Sequence, residues 1–223
     1  MFTYLTQGGP VMIPIVITSI AAGALVMIEW SRIREASRNP KKEIAQIESC
    51  VKEWNWTEAL KLCEHSDHSF VKPWREGFSL LTGGKSDLQD IQEAVSLEGD
   101  KMISELESAL KPLGALITIL PMLGFLGTIL GLLVSFHNWE QMGAHVSISS
   151  LAGGIYQAMI TTAAGLIVAI PYQFFYHYAV ARVQKIALEF SRETTNLFRR
   201  VKETLLEETS TPGREEPALH PTP

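Results

Sequence analysis

The side chains in this sequence that could move a proton or hold a solute are few, and the most telling ones stand inside uncharged apolar runs. Thr128 lies in residues 115–136, and Gln157, Thr161 and Thr162 lie in residues 151–181. Hydroxyl and amide groups inside a run long enough to cross a bilayer face protein or water, because lipid offers them no hydrogen-bond partner. Two uses are open to them: tying helix backbones together, or lining a wet path with aligned hydroxyls. No carboxylate stands within the runs; Glu29 closes the first and Glu140 lies between the second and third. A group that binds and releases a proton at mid-membrane would therefore have to come from a partner.

Elsewhere the candidates are weaker. Cys63, His65 and His68 form C-x-H-x-x-H, a spacing that fits no common zinc pattern and reads as a solvated helix end. His177 stands beside Tyr172, Tyr176 and Tyr178 and reads as interfacial. Phosphate-loop, HExxH and Gly-x-Ser-x-Gly signatures are all missing, so no enzyme activity, metal or cofactor is expected. Cys50 and Cys63 lie in a charged segment without a cysteine framework, which reads as two reduced thiols.

The elements that must position the hydroxyls follow from the bunching of apolar residues. Of the chain's 223 residues 46% are hydrophobic, an ordinary share, yet they gather into three uncharged runs. A hydrocarbon core about 30 Å thick takes roughly 20 helical residues. The first run, residues 11–28, just suffices; it follows Gly8-Gly9-Pro10, a helix-start arrangement. It reads as a retained anchor, since no basic residue precedes it and Arg32, Arg34 and Arg38 come after it. The second run holds Pro121, Gly124, Gly127 and Gly131, the last two a GxxxG pair that lets a neighbouring backbone approach. In the third, Ala158, Thr162, Gly165 and Ala169 make a small-residue stripe with Gln157 and Thr161 beside it, and the run is longer than a perpendicular crossing needs.

Charge gives the orientation. All 19 Lys and Arg fall in residues 31–111 and 182–223, and none in residues 1–10 or 137–150. Basic residues are retained on the cytoplasmic side, so the N-terminus and the short loop are expected outside. A net charge of −5 argues against nucleic acid as the partner.

The segment between the first two spans reads as helical, broken at Thr82-Gly83-Gly84, with one helix running from about Asp87 into the second span. Upstream, Trp54, Trp56, Leu60, Leu62, Phe70 and Trp74 suggest a small helical cluster. Beyond the third span, Val180, Val183, Ala187, Phe190, Thr194, Leu197, Val201 and Leu205 continue an apolar stripe suited to packing against copies of itself or against residues 87–111. The fold class is thus an all-α membrane protein: three transmembrane helices with long cytoplasmic helical extensions. The expected order is an outer tail 1–10, spans at 11–30, 112–136 and 151–181, a cytoplasmic segment 31–111, an outer loop 137–150, a cytoplasmic helix 182–208 and a Pro-rich disordered tail 209–223.

Two motifs carry a family resemblance. Leu120-Pro121-Met122-Leu123-Gly124-Phe125-Leu126-Gly127-Thr128 resembles the second-span motif of the MotA/TolQ/ExbB proton-channel proteins, and residues 157–171, QAMITTAAGLIVAIP and so ending at Pro171, resemble their third-span motif. Gly8-Gly9-Pro10, Pro14 and Glu29 match the family's start, and the ExbB/TolQ branch is the nearer one. The resemblance implies a homo-oligomer, a pentamer, in a bacterial inner membrane around a dimer of an ExbD/TolR-type single-span protein that brings an intramembrane Asp. It extends to a TonB/TolA-like protein that receives the energy. It carries polar path residues onto Thr128 and Thr162, with Thr161 and Gln157 adjoining, and packing onto Gly124, Gly127, Gly131, Gly165, Pro121 and Pro171. Gln157 departs from the family's glutamate, and Trp30 stands where a basic residue usually follows Glu29. A scaffold without ion flux and a self-contained small-solute channel remain open alternatives.

Overall fold

The computed structural model describes residues 8–38, 41–66, 68–84, 87–142 and 148–210. Among them are six α-helices and no strand: α1 Met12–Ala36, α2 Lys41–Lys52, α3 Trp56–His65, α4 Lys72–Thr82, α5 Leu88–Met142 and α6 Ile148–Ser210. Three of these, α1, α5 and α6, contain stretches apolar enough and long enough to cross a membrane. The protein is an all-α, multi-pass membrane protein.

Two compact units divide the chain, one of Met1–Arg34 with Glu105–Gln184 and one of Glu35–Ser104 with Lys185–Pro223. The first holds the spans. Its interior is thin: Val11 and, in α1, Met12 and Ile15 pack with Leu120 of α5 and Ala169 of α6, and further along Ala22 packs with Leu113 and Ile117. The Tyr172 hydroxyl donates to the Ser19 carbonyl at 3.0 Å and so ties α6 to α1. The outer surface is apolar, with Met27, Met122, Phe125, Met159, Ile167 and Phe174 among the exposed side chains. Only 22–28% of each apolar window is buried within the chain, the reverse of a soluble helix bundle, so these faces meet lipid or other proteins.

α5 and α6 continue through prolines. Pro121 and Pro171 each remove a backbone donor inside the helix. Spanning helices tolerate this because the chain has no water to turn to and neighbouring groups re-satisfy the backbone. Within the chain Pro121 is half-buried and Pro171 is exposed.

The second unit is built on the apolar stripe of α6. Val201, Leu197, Thr194, Phe190 and Ile186 are buried. Phe70 meets Phe190 edge to face, Trp74 packs on Phe198 with centroids 4.6 Å apart, and a side chain at Gly99 of α5 would overlap the Phe190 ring. Glu48 of α2 pairs with Arg200 at 3.1 Å. Within the chain the stripe thus packs on α2 and α4 as well as on α5. Phe70 and Trp74 of the aromatic group are core residues, while Trp54 and Trp56 pair with each other at its margin. Asn55 caps α3 by accepting from the Glu58 N–H, and α4 opens on Pro73 and stops at Gly83-Gly84, where Gly84 has φ +79°.

α5 extends to Met142, so the first part of the expected 137–150 loop is helical. Stacked Phe136 and Trp139 rings and the 2.9 Å His137–Gln141 contact supply the one-turn pairs that prolong it. α6 likewise reaches Ser210, two residues beyond the expected end. Residues 1–7, the rest of that loop at 143–147, and residues 211–223 of the tail lie outside the described residues.

Candidate functional site

Between α5 and α6 runs a seam where backbones touch. A Cβ at Gly165 would stand 2.8 Å from the Leu120 carbonyl oxygen, and one at Gly124 3.1 Å from the Thr162 Cα. At Gly127 it would stand 2.6 Å from the Thr161 Cβ, and at Gly131 2.9 Å from that of Ala158. Glycine is required at each because the facing helix occupies the Cβ position. One turn on, Ser135 is buried against Gly154, which extends the seam beyond the residues the sequence motifs mark. The spacing Gly127, Gly131, Ser135 and Gly154, Ala158 is the signal that could have found this pair.

The hydroxyls of the seam are all engaged in the same way. Thr162 donates across the seam to the Gly124 carbonyl at 2.8 Å, and Thr161 donates to its own helix at Ala158, 2.7 Å. Thr128 donates to the Phe125 carbonyl at 2.6 Å and Ser135 to that of Gly131 at 2.8 Å. Each hydroxyl hydrogen is thus committed, and what each oxygen still offers is a lone pair. Such an oxygen accepts from a protonated carboxyl without rearrangement. To serve an ionised carboxylate it must first rotate its hydrogen off the carbonyl.

Access separates the candidates. Thr161 is 1% exposed, wedged against Gly127, whereas Thr128, Thr162 and Gln157 are half-buried at the rim. The seam brings Gly124, Gly127, Gly131, Gly165, Thr161 and Thr162 together and leaves Thr128 one turn beyond Gly124. Gln157 instead lies against Gly9, where a Cβ would overlap its Nε2. Glu29, expected at the membrane interface where the first span ends, has a side chain only 4% exposed, with the Arg32 guanidinium 3.6 Å away. Phe175 and Tyr178 of α6 flank the adjoining Trp30.

No three His, Cys, Asp or Glu side chains converge as metal ligands among the described residues. Cys63 is buried, His65 Nδ1 lies 2.8 Å from the Lys61 carbonyl oxygen and His68 Nε2 lies 3.1 Å from that of Arg38.

Sequence comparison places this seam in a known context. The family model described as the MotA/TolQ/ExbB proton channel family matches residues 65–192, more than half of the chain and all of the seam. An ExbB-like biopolymer transport protein of Synechocystis sp. is 30% identical over 174 residues, 74% of this chain and 64% of its own. An ExbB homologue of Methanothermobacter thermautotrophicus is 28% identical over 68% of this chain and 52% of its own length. For an ExbB-type biopolymer transport protein of Vibrio cholerae the figures are 30% identity, 64% and 60%. The match thus spans between about half and two thirds of these relatives. With both span motifs inside the matched region and the three helices they require in place, the chain belongs to the MotA/TolQ/ExbB proton channel family.

Proposed function

We propose that the chain is the channel subunit of a proton-driven motor in a bacterial inner membrane, with its N-terminus outside and its C-terminus in the cytoplasm. In this reading it assembles as a pentamer around a dimer of a single-span ExbD/TolR-type partner. The partner supplies the carboxylate. Thr128 and Thr162 supply hydroxyl oxygens at the rim, and Thr161 serves packing. The observation that carries the reading is Thr162: its hydrogen holds the Gly124 carbonyl across the seam while the oxygen of this half-buried residue keeps acceptor capacity. A protonated partner Asp would donate to that oxygen. On losing its proton the Asp would need donors, and the threonine hydroxyls can turn to provide them, so their state follows the charge of the carboxyl. The energised process, an outer-membrane or envelope task reached through a TonB/TolA-like protein, follows only from the relatives' description as biopolymer transport proteins.

Valine copies the threonine shape and lacks the hydroxyl. Thr128→Val and Thr162→Val should leave the oligomer assembled, since an interhelical hydrogen bond in a membrane averages about 0.6 kcal/mol. They should abolish proton flux in liposomes that carry both proteins, while Thr→Ser keeps much of it. Unchanged flux in both valine variants would sink the proposed role of the threonines, absence of flux in the parent complex would favour a scaffold, and flux without any partner a self-contained channel.

A further inference from the structure

We infer that the Gly8-Gly9-Pro10 turn seats on α6 through a steric fit, the bare backbone of Gly9 leaving room for the Gln157 amide, and that the seated turn covers the α5/α6 seam at Thr161. Gly9 has φ +70°, a conformation glycine adopts freely and other residues resist. Independently, a Cβ there would overlap Gln157 Nε2 and stand 3.0 Å from its Cδ and 3.7 Å from its Cγ, so the amide nitrogen abuts the bare backbone. Gly8 is buried, and a Cβ on it would stand 3.4 Å from the Thr161 methyl and 2.7 Å from Met12 Sδ. Gln157 and Thr161, four residues apart on one face of α6, thus form the floor under two consecutive glycines.

The turn is also fixed from behind. The Met12 N–H donates to the Gly9 carbonyl and that of Ile13 to Pro10, both at 3.2 Å, so the first donors of α1 are taken by the turn. Immediately after it, Val11, Met12 and Ile15 are buried against Leu120 of α5 and Ala169 of α6. A turn gripped at both ends cannot shift without moving Gln157 or lifting α1. The geometry also suits an amide: a neutral side chain can rest against backbone where a carboxylate would have to give up water.

This inference rests on the proposed proton path only for its flux readout. A single cysteine is placed by Thr161→Cys in a Cys50→Ser/Cys63→Ala background and probed with N-ethylmaleimide. With the turn seated the cysteine should be protected, and Gly9→Ala should raise its labelling rate at least tenfold. Gly9→Ala combined with Gln157→Ala removes the three atoms nearest the new Cβ, so labelling should fall back towards the parent rate. In the otherwise native chain the double variant should melt above Gly9→Ala alone, which covers the case in which Thr161→Cys does not fold. Gly84→Ala is the control for strain alone, having φ +79° and no neighbour within 4 Å, and Gln157→Ala should not rescue it. Where partner-dependent proton flux is measured, Gly9→Ala should lower it and the double variant regain it. Labelling in Gly9→Ala equal to the parent, or a double variant no better than Gly9→Ala, would overturn the inference. Loss of the flux effect with rescue of labelling and melting intact would instead count against the proton path.

Discussion

At Cys63, burial decides reactivity. Desolvation is the main influence pushing its thiol up to about 12, with Cys50 and Glu64 adding to it. Burial also raises the half-exposed Cys50 thiol, helped by Glu53 and Glu58. Since the thiolate is the nucleophile, Cys50 should react slowly with a maleimide at pH 8 and Cys63 only after unfolding. A thiol count in mild detergent of one, rising to two in denaturant, checks this; two at once would refute the burial. Folding holds the Cys63 proton more tightly than the unfolded chain does, so the associated stability is complete below about pH 9 and declines as pH rises towards 12. The sequence made both cysteines visible as free thiols, but not which one the helices would cover. The same holds for Thr161 and Thr162, equal in composition and separated by 100° of helix rotation.

Between helices, glycines of identical appearance carry different loads. Gly165 faces the Leu120 carbonyl oxygen and the Gly124 backbone, and backbone cannot step aside as a flexible side chain can. Gly153, in the same helix, has nothing within 4 Å of its missing Cβ. Gly165→Ala should therefore destabilise by about 1–3 kcal/mol as an overpacking change. Gly153→Ala should be neutral or stabilise by up to about 1 kcal/mol, because alanine is the better helix former. Thermal unfolding in detergent ranks the two, and equal losses would mean that the seam is not where backbone contact places it. The spans and the seam were legible because an uncharged run and a small-residue period are local patterns. The destination of the α6 stripe was not legible, since periodicity marks an apolar face without naming its cover. The segment of three short helices, α2 to α4, made that difference, with α2 supplying Glu48, α4 Trp74 and the turn before α4 Phe70.

For the molecule as a whole, the thin interior and apolar exterior argue that α1, α5 and α6 do not end their packing with one another. The proposed pentamer is tested by native mass spectrometry in mild detergent, where a monomer would count against it. Orientation is tested by labelling. Cys50 should react with an impermeant thiol reagent only after cells are opened, and Glu140→Cys, at a strongly exposed position near the end of α5, in intact spheroplasts; the opposite pattern would reverse the topology. One feature of that exterior reaches beyond assembly. Met27, Met122 and Met159 present their thioethers on the outer face of the spans. Methionine oxidises to a polar sulfoxide, and a sulfoxide at hydrocarbon depth has no hydrogen-bond partner in lipid. Peroxidised lipid would thus attack the protein where it can least tolerate polarity, and a neighbouring subunit lying over a methionine would also be its antioxidant shield.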